Sequence, residues 1–272
     1  MSISFRIGVI GCGNMAKAIL AGVLEKGTLQ SEQITVFDVN REQSAPVAEK
    51  TGISIANSIE QLCQKSDILL LAIKPDVVPS VLHESASFLK GKAMVSIAAG
   101  ITFAQLKAFA QNQCRVLRTM PNTPAMVGAG ATVFANNHDF EPSEIEATIE
   151  IFSAVGIVKM LKESLMDAVV GMSGSGPAYV YLFIEAMADG GVRAGLDRAT
   201  ALELAAQTVL GSAKMMKESG MHPGQLKDMV CSPGGTTIEA VYALEKNGFR
   251  GDVMQAVAHA AKKSSEMSRE NE

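Results

Sequence analysis

The stretch that most constrains the fold is RIGVIGCGNMAKAILA, residues 6–21. An apolar run, Ile7–Ile10, leads into Gly11-Cys12-Gly13-Asn14-Met15-Ala16, a G-x-G-x-x-A pattern. Helical spacing follows: Met15, Ala18, Ile19 and Val23 fall on one face, with Ala16 and Leu20 beside them. Strand, glycine turn and helix is the setting in which this motif binds a dinucleotide. Gly11 supplies the tight turn, Gly13 lets a pyrophosphate approach the backbone, and Ala16 lets the helix pack close to the strand. The free N–H groups at the helix start then face the phosphates. A ligand-free glycine turn is the alternative, and the full strand–turn–helix context favours a nicotinamide or flavin nucleotide.

Composition narrows the class. The chain has 272 residues, enough for two domains, and its 47% hydrophobic share supplies a sizeable core. A net charge of −4 without a dense Lys/Arg cluster argues against a nucleic-acid partner. Cys12, Cys63, Cys114 and Cys231 show no C-x-x-C spacing, and His83, His138, His222 and His259 are scattered, so no disulfide framework and no metal site are expected. Apolar runs are too short and interrupted to span a membrane. The start, MSISFRIGVIGCG, lacks a signal-peptide pattern, and the expected location is the cytoplasm.

Strands and helices alternate up to Lys162. Strands are expected at 34–37, 53–55, 68–73, 94–97, 116–118, 130–135 and 156–160, separated by helical stretches. That order predicts an α/β domain, a doubly wound parallel sheet with helices on both faces. After Lys162 no period-2 stretch remains, and the chain reads as all-α. Helices are expected at 177–190, from the N-cap Asp197 to a stop at Gly220, and at 223–230, 236–246 and 252–270. Residues 172–179, MSGSGPAY, read as a tight loop whose glycines serve close helix packing.

In open parallel sheets, ligands bind outside the carboxyl ends of the strands. The residues expected there are Gly11, Gly13, Asn14 and Met15; Asp38, Asn40 and Arg41; Asn57; Ala72, Ile73, Lys74 and Pro75; Ala98, Ala99 and Gly100; and residues 120–123. Asp38 suits the ribose 2′-OH of NAD. Arg41 suits the 2′-phosphate of NADP, since guanidinium–phosphate bonds are strong, although it also fits as a solvated residue opening a helix. The balance points to NADP, with NAD usable. A second concentrated feature is Ser232-Pro233-Gly234-Gly235-Thr236-Thr237 at a helix start. It is too short for a P-loop and lacks the G-K-[ST] element, so a small anion such as a substrate carboxylate fits it. An ordinary helix start capped by Thr236 fits equally. No Ser/His/Asp set and no H-E-x-x-H pattern is present.

GCGNMA at 11–16, AIKP at 72–75, SGSGPAY at 173–179 and HPGQLKDMVCSPGGTTI at 222–238 together resemble the pyrroline-5-carboxylate reductase family, in order and over nearly the whole chain. The 222–238 block is the specific part. The resemblance implies an NAD(P)-binding Rossmann domain over 1–162 and an all-helical substrate-binding and dimerisation domain over 163–272. It implies an oxidoreductase that transfers hydride from NAD(P)H to the cyclic imine of 1-pyrroline-5-carboxylate, giving L-proline in the last step of proline synthesis. It also implies a homodimer, with decamers in prospect. Backbone N–H groups of Gly235, Thr236 and Thr237 would hold the substrate carboxylate, and the Thr237 hydroxyl would sit near the ring nitrogen as the catalytic group. Thr236 is often Ala in that family. The acidic residue some members carry before the His-Pro pair falls near Gly220 here, with Glu218 two residues earlier, and its role is not carried over. Two rivals stand beside this reading. A β-hydroxyacid dehydrogenase needs a Lys on the helix after the Ser-Gly stretch, and 177–190 has none. A non-enzymatic NADP-binding regulator would favour a degraded S-P-G-G-T-T loop, and this one is intact.

Overall fold

The computed structural model describes residues 3–270. Eight strands form one sheet: β1 (Ile7–Ile10), β2 (Ile34–Phe37), β3 (Ser54–Ile55), β4 (Ile68–Leu71), β5 (Ala93–Ser96), β6 (Arg115–Met120), β7 (Gly130–Ala135) and β8 (Gly156–Leu161), in spatial order β3-β2-β1-β4-β5-β6-β7-β8. The pairs from β3 through β6 are all parallel, and β1 is held by β2 on one side and β4 on the other. Side-chain alternation along these buried strands builds two cores. Ile7, Val9, Ile68, Leu70, Ala93 and Val95 face one layer; Ile10, Leu69, Leu71 and Met94 face the other. Helix α1 (Asn14–Glu25) covers the first layer with Ile19, Leu20 and Val23. After α2 (Arg41–Thr51), helices α3 (Ile59–Lys65), α4 (Val78–Ser85) and α5 (Phe103–Phe109) cover the second with Leu62, Leu82 and Leu106. α6 (Pro142–Ser153) returns to the first layer, where Phe152 meets Phe134 edge-on at 5.4 Å.

The parallel expectation meets one exception. β7 runs antiparallel to β6, and β8 is parallel to β7. A parallel return needs a crossover of a dozen or more residues. Only residues 121–129 separate β6 from β7, and they hold no more than a 3-10 turn at Thr123–Val127.

The Ser-Gly stretch also departs from its expected form. It is not a loop. The short helix α7 (Met166–Val169) runs into a π-helical turn, Val170–Gly174, in which Ser175 N–H donates to the Val170 carbonyl at 2.8 Å. The chain then continues as α8 (Gly176–Arg193). Of the stretch's two glycines, Gly174 lies against the flexible end of Met120, whose Cε would be 2.7 Å from a Cβ there, whereas a Cβ on Gly176 would meet nothing within 4 Å, so close packing accounts for the first and not the second.

The rest is helical: α9 (Arg198–Ser219), α10 (Pro223–Met229), α11 (Thr236–Lys246) and α12 (Phe249–Glu270). Asp197 caps α9 by accepting from Thr200 N–H at 3.0 Å, and Gly220 ends it in the left-handed conformation at φ +64°. The chain divides into two compact units. One comprises the residues up to Ser175 together with those from His259 onward; the other is Gly176–Ala258. Within the second unit the buried apolar cluster is Ala188, Ala201 and Ala205, with Ile184 and Met187 against it. Its large apolar side chains are mostly exposed, Leu182 at 66%, Leu210 at 61% and Met254 at 72% among them. Three alanines are a small core for several helices, so these faces call for a further apolar partner.

Candidate active site

Because β1, β2, β4 and β5 run parallel, the residues after them fall along one edge of the sheet. The strand order reverses between β1 and β4, the place where such sheets bind nucleotides. Gly11 sits at φ +92° there, and a Cβ on it would lie 2.5 Å from the Ala72 carbonyl oxygen, so only glycine fits. Gly13 is different. Its backbone is extended, and a Cβ on it would meet nothing within 4 Å. Packing within the chain therefore gives no reason for a glycine at 13, whereas a pyrophosphate lying on the backbone does. Gly13 is also the N-cap of α1 and offers no side-chain oxygen to the first turn, so the helix start keeps N–H groups for an anion. Gly13 and Asn14 are exposed, and Met15 is half-buried.

Asp38 follows β2 and shapes the turn. Its carboxylate accepts from Cys12 N–H at 2.6 Å and from Asn40 N–H at 2.8 Å. A carboxylate has about four acceptor positions, so two remain for a ribose. Burial, with Asp38 nearby, pushes the Cys12 thiol up and keeps it protonated. Asn40 caps α2 by accepting from Glu42 N–H at 2.9 Å. The exposed Arg41 guanidinium donates to the side-chain carbonyl of Asn57, so two residues singled out separately in the sequence meet here.

Beyond β4, Ala72 N–H donates to the Ile10 carbonyl at 2.8 Å, and Lys74-Pro75 opens a 3-10 turn with Lys74 exposed. Beyond β5, Ala98 and Gly100 are buried, Ala99 is half-buried, and Gly100 turns the chain at φ +74°. Asn122, after β6, ties two segments together. It accepts from Ala131 N–H at 2.8 Å and donates to the Ser173 carbonyl at 3.0 Å. Sequence reasoning missed Glu163, which accepts from Phe103 N–H at 2.7 Å, Arg118 at 3.0 Å and Asn137 at 2.5 Å. Burial pushes its carboxyl up, but those three bonds and the Arg118 charge outweigh burial and hold it below the usual range. No local pattern marks it, since its partners lie 26 to 60 residues away.

In the second unit, Gly234 at φ +65° bends the loop into α11, and Gly235 is the N-cap. Gly235 N–H donates to the Ser232 carbonyl at 3.1 Å. A Cβ on Gly235 would lie 2.5 Å from Ser232 Oγ, so a side chain there would have to turn that hydroxyl aside. Thr236 does not cap the helix: it is the first helical residue, and the N-cap Gly235 has no side chain with which to bond the helix start. The N–H groups of Thr236 and Thr237 are thus left for a ligand, and the Thr237 side chain is half-buried beside them. Upstream, His222 caps α10 by accepting from Gly224 N–H at 3.1 Å through Nδ1, which places the neutral ring's proton on Nε2. Glu218 is exposed and paired with Lys214 at 3.8 Å. Among the described residues no group of three or more His, Cys, Asp and Glu is placed to hold a metal ion, and no helix is long and apolar enough to cross a membrane.

Comparison with known proteins gives two family matches: "Pyrroline-5-carboxylate reductase dimerisation" over residues 163–267 and "NADP oxidoreductase coenzyme F420-dependent" over residues 6–100. The pyrroline-5-carboxylate reductase of Escherichia coli (strain K12) is 46% identical, over 97% of this chain and 98% of that protein. The enzyme of the same name from Arabidopsis thaliana is 45% identical, over 97% and 96%. Among solved structures, Plasmodium falciparum pyrroline carboxylate reductase with NADP bound superposes with a TM-score of 0.89 at 34% identity, covering 98% of this chain and 100% of that one. Identity at this level from end to end, with the sheet and helices in matching order, means that the chain belongs to the pyrroline-5-carboxylate reductase family.

Proposed function

We infer that the chain is a pyrroline-5-carboxylate reductase: it reduces the C=N bond of 1-pyrroline-5-carboxylate to L-proline with NADPH, the last step of proline synthesis. Residues 1–162 serve the cofactor and residues 163–272 supply substrate binding and dimerisation, although the compact units divide at Ser175 and the residues from His259 onward pack with the sheet. The observation that carries the substrate reading is the uncapped start of α11. Its N–H groups suit a carboxylate, and the Thr237 hydroxyl stands one residue further in.

The residues at the sheet edge fit the nucleotide. The space over Gly13 and the open N-terminus of α1 suit a pyrophosphate. Asp38, with Asn57 and Lys74, suits the ribose region. Arg41 with Asn40 suits a 2′-phosphate, and Ala72, Ile73, Pro75, Ala98, Ala99 and Gly100 wall the site. Bound NADPH supplies the hydride that reduces the imine carbon. The protein's own work is positioning and electrostatics. Thr236 and Thr237 fix the carboxylate by backbone donors, while the N–H of Gly235, expected to join them, is turned to the Ser232 carbonyl, so Gly235 shapes the loop instead. The Thr237 hydroxyl bonds the ring nitrogen and so orients the imine as its nitrogen takes up a proton. No nucleophile is needed.

Arg41→Ala is expected to weaken NADPH more than NADH. A charged hydrogen bond to the 2′-phosphate contributes about 1.5–3 kcal/mol, which is about ten- to a hundredfold in affinity. Parallel fluorescence titrations of the two cofactors check it. An equal loss for both would show that Arg41 does not read the phosphate.

Dimerisation through the helical domain follows from its exposed apolar faces. Leu202, Leu204, Leu210, Met215 and Met216 are exposed, Met187 and Val209 half-buried. Tyr179, Leu182, Phe183, Met187, Leu244 and Phe249 line a groove of about 590 Å3. A twofold dimer buries such faces reciprocally, and a decamer built from five such dimers is the further assembly proposed. Light scattering at micromolar concentration should give at least twice the chain mass; a clean monomer would contradict the assignment. The protein is proposed to work in the cytoplasm.

A further inference from the structure

The loop between β5 and α5, residues 97–102, carries Ala98, Ala99 and Gly100. It is held from outside at its far end. Phe103 N–H donates to Glu163, as above. Thr102 N–H and Oγ1 donate to the Gln105 side-chain oxygen at 2.8 and 3.0 Å. The other arm of that amide, Nε2, donates to the carbonyl of Ser268 at 2.8 Å. Ser268 lies in the last turn of α12, where a helix leaves its own carbonyls without partners. Beside it, Met267 lies on Gly100: a Cβ there would be 3.4 Å from Met267 Cβ. One turn earlier the buried Ser264 donates to Asp167 Oδ1 at 2.7 Å, which anchors this end of the helix independently.

A glutamine that only completes the capping box of α5 needs one acceptor oxygen, which Glu supplies equally well, and nothing on its other arm. Gln105 is 8% exposed, and its donor arm is committed to a residue 163 positions away. The neutral amide is therefore matched to two neighbours of opposite character.

We propose that Gln105 is a positioning residue for the nicotinamide cofactor: together with Met267 and the Ser268 carbonyl of the last helix, it sets the loop Ala98–Gly100 against which the cofactor binds. This rests on the reading of that loop as part of the cofactor site. The C-terminal turns of α12 then belong to the binding machinery, although they touch the cofactor only through the loop. Gln105→Glu keeps the acceptor for Thr102 but sets a carboxylate oxygen against the Ser268 carbonyl. Met267→Ala keeps the helix and the Cβ over Gly100 but removes the rest of the side chain, whose Cε would lie 3.9 Å from a Cβ at Gly100.

The test uses the full chain and three variants: Gln105→Glu, Met267→Ala and Ala99→Leu, the last placing bulk directly in the loop. NADPH affinity by fluorescence titration, KM for NADPH and for the imine, and Tm are measured for each. The first two are expected to raise the NADPH Kd and KM about five- to twentyfold, with the imine KM within about twofold of wild type and the rate recovered at saturating NADPH. A lower Tm with NADPH affinity at the wild-type value in both would make Gln105 a structural residue only and overturn the proposal. If, in that case, Ala99→Leu still weakens NADPH, the cofactor reading of the loop stands and the positioning role alone fails. If all three bind NADPH as wild type does, the loop is not part of the cofactor site and both fail.

Discussion

Thr237→Ala is expected to lower kcat/KM for pyrroline-5-carboxylate by about 2–3 kcal/mol, a loss of about 30–150-fold, if its hydrogen bond acts mostly in the transition state. The substitution leaves Gly235 as the N-cap and the backbone of α11 in place. Carboxylate anchoring through N–H groups should therefore partly survive, while orientation and polarisation of the imine are lost. NADPH affinity should stay within about twofold, because the residues proposed for the cofactor belong to the sheet edge. Thr236→Ala is the control. The Thr236 side chain makes no cap, so only its backbone is proposed to act, and its loss should cost well under about 1 kcal/mol in stability. Steady-state kinetics on both variants, with NADPH titration alongside, decide the matter. Full activity in Thr237→Ala, or a larger loss in Thr236→Ala, would show that the loop has been read wrongly.

Gly13→Val is the second large effect. The added side chain meets no protein atom within 4 Å at Cβ, and the extended backbone at φ −73°, ψ −178° suits a β-branched residue. The fold should tolerate it, with a loss of about 1 kcal/mol or less at the helix start. The same side chain occupies the space proposed for the pyrophosphate, so NADPH affinity should fall by roughly a hundredfold or more, about 3 kcal/mol. Thermal unfolding and cofactor titration on one preparation separate the two effects. A variant that binds NADPH normally would remove the nucleotide from this turn. Gly11→Val is no substitute, because the Ala72 carbonyl lies 2.5 Å from its Cβ position and folding itself would suffer.

These two sites differ in how they could be read from sequence. The β1–α1 turn was legible because its signal lies within sixteen consecutive residues: an apolar strand, two glycines with separate duties, and an apolar helical face. The caps at Asp197 and Gly220 were legible for the same local reason. The S-P-G-G-T-T loop was only half legible. Its residue types allowed either Thr236 as an ordinary cap or an open anion site, and what removes Thr236 as the cap is Gly235 being the N-cap, a matter of backbone conformation. The antiparallel β7 was not visible in alternating strand and helix signals. It follows from a connection too short for a crossover, and from which edge of the sheet remained open. Asp38 shows a similar limit. Sequence placed it at the ribose, while the structure adds its bond to Cys12 N–H across 26 residues, which no local pattern encodes. The Ser-Gly stretch looked like a loop by composition, yet it runs as a π-helical turn between two helices, with Asn122 bonded to its Ser173 carbonyl. Glu163 and Gln105 were invisible for the plainest reason: their significance lies wholly in partners distant along the chain.

The central claim is that this chain couples NADPH oxidation to reduction of a five-membered cyclic imine. The most direct test is the rate of NADPH oxidation by the purified protein with pyrroline-5-carboxylate, run beside its six-membered homologue, with the amino acid product quantified. The account predicts steady turnover with pyrroline-5-carboxylate and one proline formed per NADPH consumed. NADPH binding without any oxidation in the presence of that imine, or turnover confined to the six-membered ring, would contradict it.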